Sequence, residues 1–273
     1  MYLGIDVGGT KTLVASFTDA GGIQERVKFL TPRSYDVFAG LLAKTVEKLS
    51  TKVFTACTVA VPGRVDRAAG VGIAMGNLPW RQVPIRQDVQ KLLQCPVIVD
   101  NDANLAGLSE ATLVKNTYSR VLYVTIGTGI GTGIITNQQI DPLYADAEGG
   151  LMLLEHGGKL VKWESFASGK AIKERYGKFA EDITDETSWR EIAYNIALGL
   201  IDLIAVVQPE VIIFGGGVAT YFARFKTFLE ENLETYATPL TPMPPICAAA
   251  RPEDAVVYGC YELAKGIYGR PLA

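Results

Sequence analysis

Asp100, Asn101 and Asp102 end a short β-branched run, Val97-Ile98-Val99, and helical spacing resumes from Ala103 to Val114. In open α/β sheets this carboxyl-end position is where ligands bind. A carboxylate there can take the proton of a substrate hydroxyl as its oxygen attacks phosphorus, the general-base task of phosphoryl transfer. The following helix needs one of these residues as a cap. Asp100, Asn101, Asp102 and Asn104 are more polar groups than capping requires.

Groups that could hold a phosphate occur twice. Tyr2-Leu3-Gly4-Ile5 leads into Asp6-Val7-Gly8-Gly9-Thr10-Lys11-Thr12, and a related stretch runs from Leu122 through Thr125 to Gly127-Thr128-Gly129-Ile130-Gly131-Thr132-Gly133. Each reads as strand, glycine-rich tight turn, strand, with backbone N–H groups exposed at the turn. Two such turns facing one another would wall an anion site. Asp6, beside the first turn, is a candidate for a magnesium shell. Neither copy is a Walker A loop, because no Gly-Lys-Ser/Thr triplet opens a helix after it. A third glycine cluster, Gly215-Gly216-Gly217, follows the apolar run Val211-Ile212-Ile213-Phe214 and would let a flat ring or a phosphate approach the backbone. Glu148 and Glu164 flank an irregular stretch with Gly149-Gly150 and Gly157-Gly158. Loop carboxylates can accept hydrogen bonds from sugar hydroxyls, although most isolated ones are solvated surface charges.

The elements that must position these groups alternate. After the first hairpin the pattern predicts a strand over Ile23–Leu30, a helix capped by Ser34 and reaching about Leu49, and a strand over Val53–Val61 ending at the Pro62-Gly63 turn. A loop through Gly76-Asn77-Leu78-Pro79-Trp80 and a helix near Pro84–Leu93 precede the Asp102 strand. Helices are expected over Trp163–Tyr176, Ser188–Val207, about Ala219–Tyr236 and Asp254–Ile267. Strands alternating with helices predict an α/β fold with a largely parallel sheet and antiparallel hairpins at its edge. No low-complexity linker interrupts the chain. The expected division is 1–108, joined by a C-terminal helix over 254–270, and 109–253.

The chain has 273 residues, 48% of them hydrophobic and 20% charged, with a formal net charge of −3. That charge gives no electrostatic reason to expect nucleic acid or an anionic membrane as partner. The longest apolar stretch, Ile196 to Val207, contains Asp202 and is too short to span a bilayer. Residue 2 already enters a strand, which predicts no secretory leader. Cys57, Cys95, Cys247 and Cys260 lack C-x-x-C spacing and fit reduced thiols of a cytoplasmic protein. His156 is the single histidine, so neither a Ser-His-Asp hydrolase nor a clustered zinc site is expected.

Taken in order, these motifs resemble the ROK family of sugar kinases, within the actin/hexokinase/Hsp70 superfamily, over nearly the whole chain. Asp6-x-Gly-Gly-Thr-Lys11 and Thr125-x-Gly-Thr-Gly-x-Gly131 resemble the two phosphate loops. Asn77-Leu-Pro-Trp80 is similar to the segment before the family's sugar loop, and Asn101-Asp-Ala-Asn104 to its N-D-A-N motif. Glu164-Ser-Phe-Ala-Ser-Gly169 resembles E-x-x-A-S-G, and Gly215-Gly-Gly217 the adenosine motif. The resemblance implies a duplicated ribonuclease-H-like, two-domain α/β fold with an interdomain cleft. It implies ATP- and Mg²⁺-dependent phosphorylation of a hexose such as glucose, most readily on the 6-OH. Asp102 would be the base. Gly63, Asn77, Asn101, Glu148 and Glu164 would lie against the sugar. Gly8, Gly9, Thr10, Lys11, Gly127, Thr128, Gly129, Gly215, Gly216 and Gly217 would hold ATP, and Asp6 would hold magnesium through water.

The departures are two. The family's E-x-G-H appears as Glu148-Gly149-Gly150-Leu151, and its C-x-C-G-x-x-G-C-x-E segment aligns to Glu155–Glu164 with Glu155, Gly157 and Lys162 at the cysteine positions. All four usual zinc ligands are absent, which predicts no structural zinc. Leu151 leaves the sugar's identity open and motivates an alternative, a sugar- or nucleotide-binding regulator with weak catalysis. An ATPase switch of the same superfamily is a third reading. Family repressors carry an N-terminal helix-turn-helix for which the start of this chain leaves no room. A homodimer is compatible with the resemblance.

Overall fold

The computed structural model describes residues 1–269. They divide into two compact units, Met1–Ser109 together with the segment from Glu253, and Glu110–Pro252.

The first unit opens with β1 (Tyr2–Val7), β2 (Lys11–Phe17), β3 (Ile23–Leu30) and α1 (Tyr35–Lys48). It continues with β4 (Ala56–Val61), β5 (Gly63–Asp66), β6 (Val71–Met75), β7 (Arg81–Val83), α2 (Ile85–Leu93), β8 (Val97–Asn101) and α3 (Asp102–Leu113), the last of which runs on into the second unit. The second unit contains β9 (Arg120–Ile126), β10 (Ile130–Thr136), β11 (Gln139–Ile140), β12 (Leu153–His156), β13 (Lys159–Lys162), α4 (Glu164–Ala167), α5 (Gly169–Tyr176) and α6 (Glu186–Val207). It ends with β14 (Val211–Gly215), α7 (Gly216–Ala219), α8 (Phe222–Glu234) and β15 (Ile246–Ala248), and α9 (Ala255–Tyr268) returns to the first unit. Position 270 of the expected last helix lies outside the described residues.

Each unit is built on a five-stranded sheet, and the two sheets have the same plan. Their orders are β3-β2-β1-β4-β8 and β11-β10-β9-β14-β15. In both, an antiparallel meander supplies three strands and two parallel strands follow. The fold is therefore a duplicated mixed α/β arrangement.

Side-chain alternation explains how the first sheet is covered. Leu3, Ile5 and Val7 join Val59, Val61, Val97 and Val99 in a core shared with Phe38 and Leu42 of α1 and Ile85 and Val89 of α2. The opposite face carries Tyr2, Ala15, Phe17 and Ala56, which pack on Val257, Tyr261 and Ala264 of α9. Small residues let that helix lie close. A Cβ on Gly259 would fall 1.8 Å from the Leu105 carbonyl oxygen of α3, and one on Gly4 would meet the Cys260 Cβ at 3.1 Å. The second sheet puts Leu122, Val124, Ile126, Ile212 and Phe214 against Ile196 and Leu200 of α6 and Phe225 and Leu229 of α8.

Several elements differ from the sequence expectations. Pro62-Gly63 leads into a separate three-stranded sheet, β5-β6-β7, instead of a simple turn. The strand expected from Val53 begins at Ala56, and Val53 is exposed. The helix expected over Trp163–Tyr176 is broken at Ser168, which accepts a hydrogen bond from the Ala171 N–H and so starts α5 afresh. Helical spacing continues across such a break and conceals it. Ser34 stands at the N-cap of α1 without a side-chain cap bond.

Candidate active site

In the first unit the parallel strands β1, β4 and β8 bring Asp6, Ala60 and Asp100 into line, and Val61 beside Asn101. The predicted residues gather just beyond this line. Asn101 is the cap: its Oδ1 accepts from the N–H groups of Ala103 and Asn104 at 2.8 and 3.2 Å. Its Nδ2 donates to the carbonyl of Gly63 at 3.2 Å. Gly63 has φ +143°, and a Cβ there would sit 2.2 Å from the Ala74 oxygen, so β5 can run this close only with glycine.

Asp100 is buried and serves structure. Its carboxylate accepts two hydrogen bonds from Arg67 Nε and one from Arg67 Nη2, and also bonds Asn104 Nδ2 and the Asn101 N–H. Asp102 is half-buried, and its Oδ1 accepts from the Ala103 N–H at 2.8 Å.

Asp6 is half-buried at the end of β1. Burial and, less strongly, the negative charge of Asp102 raise its carboxyl, against the opposing Lys28, to a pKa of about 7. Two carboxylates that repel each other are a place where a divalent cation fits. Mg²⁺ binds through one or two carboxylates, waters and substrate phosphate, so it needs no larger ligand cluster. Among the described residues no group of three or more His, Cys, Asp or Glu could hold a metal ion.

The first glycine turn is closed by the Gly8 N–H donating to the Lys11 carbonyl at 3.0 Å, with Thr10 and Lys11 exposed. A Cβ on Gly9 would lie 2.7 Å from the Cβ of Asn77, so the turn and the Asn77 loop touch. Buried Leu78 and Trp80 anchor that loop, Trp80 Nε1 donates to the Arg33 carbonyl, and Arg81 Nη1 bridges the carbonyls of Leu78 and Trp80. Asp6, Gly8–Lys11, Gly63, Asn77, Asn101 and Asp102 thus form one constellation in the first unit.

The second unit assembles the rest around the β9–β10 turn. The Gly127 N–H donates to the Gly129 carbonyl at 2.9 Å, and the Gly169 N–H to the Gly127 carbonyl at 2.7 Å. Oε2 of Glu164 accepts from the Ile130 N–H at 3.4 Å and lies 2.6 Å from where a Cβ on Gly129 would be. Both ends of the Glu164–Gly169 motif therefore touch the same turn. Glu148 is tied to the hairpin through its neighbour, since the Gly149 N–H donates to Thr132 Oγ1 at 3.1 Å. Burial raises the Glu148 carboxyl, and the charges of Glu164 and Asp146 add to the shift. A carboxyl crowded in this way is eased by neighbouring hydroxyl donors.

The three glycines after β14 divide by task. Gly215 pairs with Thr125 in register, and its Cβ would strike the Tyr123 hydroxyl. Gly216 has φ +82° and lies against the Ile126 carbonyl. Gly217 is different: a Cβ there would meet nothing within 4 Å, and the same holds for Gly127. Those two glycines line one cavity of about 650 Å³ in the second unit, together with Thr128, Lys170, Lys173, Phe179 and Tyr221. The volume falls in the range of small-molecule sites. Sequence reasoning missed Lys170, Lys173, Phe179 and Tyr221. The one available signal was two lysines three apart, on one helical face, just after the Ser168-Gly169 break.

The Glu155–Glu164 segment forms the β12–β13 hairpin, turning at Gly157 (φ +62°) and Gly158 (φ +78°). The Gly158 N–H donates to Glu155 Oε1 at 2.6 Å. His156 stacks on Phe166 with ring centroids 4.2 Å apart, so a loop histidine proves to be a packing residue. Trp163 closes the segment: it is fully buried, donates to the Asn195 carbonyl at 3.1 Å, and fills the space left by Gly199. Leu151 is 43% exposed.

Comparison with known proteins decides the family. The ROK family matches residues 2–267. The chain belongs to the ROK family. Among curated ROK relatives, it is 28% identical over 262 residues to the glucokinase of Streptomyces coelicolor, covering 80% of this chain and 82% of that one. It is 29% identical over 282 residues to the N-acetyl-D-glucosamine kinase of Histophilus somni, covering 88% and 92%. Among solved structures, a ROK glucokinase from Streptomyces griseus in complex with glucose and AMPPNP superposes with a TM-score of 0.83 at 24% identity, covering 97% of this chain and 99% of that one. Among the described residues no helix is long and apolar enough to cross a membrane.

Proposed function

We propose that this ROK protein is an ATP- and Mg²⁺-dependent sugar kinase that phosphorylates a hexose, with the 6-OH as the preferred acceptor and Asp102 as general base. The observation that carries the reading is Asp102 itself. It is a half-buried carboxylate at the carboxyl end of β8, close enough to Asp6 to raise that carboxyl's pKa, in a sheet position where ligands bind.

In this mechanism Asp102 accepts the proton of the sugar hydroxyl while the hydroxyl oxygen bonds to the γ-phosphorus and the bond to the β-bridging oxygen breaks, releasing ADP. Positioned general bases contribute roughly 10²–10⁴-fold. Asn101, Asn77 and Glu148 orient the sugar, with the Gly63 backbone close to Asn101. The carboxylate of Glu164 lies against the Gly129 turn and would align sugar with phosphate. Gly8, Gly9, Thr10 and Lys11 offer phosphate contacts from the first unit, and Gly127, Thr128, Gly129 and Gly217 from the second. Gly215 and Gly216 give the adenosine region its shape. Mg²⁺ at Asp6 would neutralise developing phosphate charge.

The test is a coupled assay of the purified chain with ATP, Mg²⁺ and a panel of hexoses and N-acetylhexosamines. Turnover of at least one sugar is expected, and Asp102→Asn should lower kcat at least a hundredfold while sugar binding persists. Full activity in Asp102→Asn would remove the mechanism. A second reading, a sugar-binding regulator with weak catalysis, is favoured by Leu151, whose side chain cannot hydrogen-bond a hydroxyl. Sugar binding without turnover in the same panel supports it.

A further inference from the structure

We propose that Arg67 is a positioning residue for the phosphoryl transfer: its guanidinium fixes the Asp100 carboxylate and thereby sets the strand end from which Asn101 and Asp102 address the sugar. The inference rests on the kinase reading above and adds to it a residue that no motif marks.

Arg67 stands in the turn between β5 and β6, 33 residues from its partner. Its Nε lies 3.2 and 3.1 Å from the two oxygens of Asp100, and its Nη2 lies 2.9 Å from Oδ1. A planar fork with donors on both oxygens fixes the plane of a carboxylate as well as its place. Asp100 passes that constraint on. The same Oδ1 accepts from the Asn101 N–H at 2.7 Å and from Asn104 Nδ2 at 3.3 Å. Asn101 is held at both ends of its amide, Oδ1 on the first N–H groups of α3 and Nδ2 on the Gly63 carbonyl. Asp102 is the next residue, so the backbone that aims its carboxylate is the backbone that Asp100 holds.

Anchoring the turn itself is a task that Arg86 performs without Asp100. Its Nη1 donates to the Ala68 carbonyl at 2.7 Å and its Nη2 to that of Arg67. Its Nε donates to the Val97 carbonyl at 3.1 Å, and its N–H to the Gly70 carbonyl at 3.0 Å. Gly70, at φ +69°, packs directly on it, since a Cβ there would fall 2.3 Å from the Arg86 Cβ. The turn carrying Arg67 is therefore clamped to α2 and β8 through its main chain. The Arg67 side chain is left to hold a buried carboxylate two residues before the base. It is 28% exposed against 7% for Asp100, so a small ion can reach its place from solvent.

Steady-state kinetics of the full chain with ATP, Mg²⁺ and a sugar that the wild type phosphorylates test the assignment. Arg67→Met should lower kcat by at least about tenfold and by less than Asp102→Asn does, since a misplacement of about 1 Å can cost ~100-fold. KM for ATP should stay within about twofold, because the phosphate loops are untouched. Arg67→Lys keeps the charge and loses the fork, so it should melt near wild type and recover only a minor part of kcat. Millimolar guanidinium should raise kcat of Arg67→Ala several-fold and leave wild type and Asp102→Asn unchanged. An Asp100 charge buried without its partner destabilises the single variants. Arg67→Met combined with Asp100→Asn removes that charge, and it should melt close to wild type while keeping the low kcat.

Wild-type kcat in Arg67→Met or in the double variant overturns the assignment and leaves the kinase reading standing. A kcat that falls only as far as the folded fraction does, with no response to guanidinium, also overturns it and leaves Arg67 an anchor of the fold alone. A wild-type chain that phosphorylates no sugar removes both.

Discussion

The two glycine turns occupy equivalent places in duplicated sheets, yet the residue before each turn is of opposite character. Asp6 is the next-to-last residue of β1 and Thr125 the next-to-last of β9. Asp6 pairs with Ala60 across the parallel neighbour, and Thr125 with Gly215. In the first unit that position holds a carboxylate pushed up to about pH 7 by burial and by Asp102. In the second it holds a neutral hydroxyl close to Gly216, beside a cavity bordered by two lysines. On the proposed reading, one scaffold would serve cation and proton chemistry in the first unit and phosphate binding in the second. Specialisation lies in single residues at the strand ends, since the strands themselves repeat.

Exchanging the two residues is the most direct way to break the comparison. Thr125→Asp should place a negative charge against incoming phosphate and lower kcat/KM for ATP by at least about a hundredfold, on the scale of like-charge repulsion in a partly desolvated site. Asp6→Thr should lose activity to a similar degree through magnesium. Titrating Mg²⁺ separates them, because a higher cation concentration should partly rescue Asp6→Thr and not Thr125→Asp. If either variant keeps more than about a third of wild-type kcat/KM, the two ends are not specialised as argued.

A second effect concerns stability. The folded pKa of Asp6 is raised above its ordinary value near 4 to about 7. A raised folded pKa means the favourable contribution is fully present below the ordinary pKa and is lost as pH climbs through the folded one. The metal-free protein should therefore lose stability between about pH 4 and pH 7, by at most ~4 kcal/mol at 1.36 kcal/mol per unit. Asp6→Asn should flatten that fall and raise Tm at pH 8 while abolishing Mg²⁺-dependent turnover. Thermal melts of both proteins across pH 5 to 8 check this. Parallel curves would show that the carboxyl is not held against its charge.

The glycines after β14 sharpen the contrast within the second unit. Gly216→Ala would impose φ +82° on alanine and press its Cβ against the Ile126 carbonyl, so it should destabilise by about 1–3 kcal/mol. Gly217→Ala should fold as the parent and raise KM for ATP about tenfold, the cost of roughly 1.4 kcal/mol of binding. The pair separates a glycine required by packing from one kept open for a ligand. Equal loss of stability in both would erase the distinction.

These cases also show what is legible in sequence. The hairpins around Gly8 and Gly127 and the Val97–Asn101 strand are local patterns, and both their strand character and their polar ends can be read directly. Counting polar groups at one strand end shows more of them than a cap needs, but not that Asn101 is the cap. The β5-β6-β7 sheet is not legible, because its strands are three to five residues long and gain pairing partners only from one another. Asp100 reads as one more candidate for chemistry until Arg67, 33 residues away, is seen to hold it. Phe179 and Tyr221 carry no motif at all. Their place at the cavity beside Gly127 comes from long-range packing of α5, α7 and α8 around β9 and β14, which no short window encodes.

The smallest expected effect tests the region where this chain departs from its family. The segment where the family carries zinc ligands is here a hairpin whose turn is held by Glu155 and whose side chains pack on Phe166 and around Trp163. Hydrogen bonds to backbone and ring stacking are made by the polypeptide alone, so the hairpin has a physical reason to fold without metal. Incubation with a strong zinc chelator, followed by return of Mg²⁺, should therefore shift Tm by less than about 1 °C and leave turnover unchanged. Phe166→Ala should lower Tm measurably, because it removes the surface on which His156 stacks, at about 0.5–1.5 kcal/mol for such a ring pair beyond the area it buries. A chelator-sensitive melt would mean that a metal still organises this hairpin from residues other than the family's ligands. The specialisation would then extend beyond the strand ends to the loop that carries Leu151.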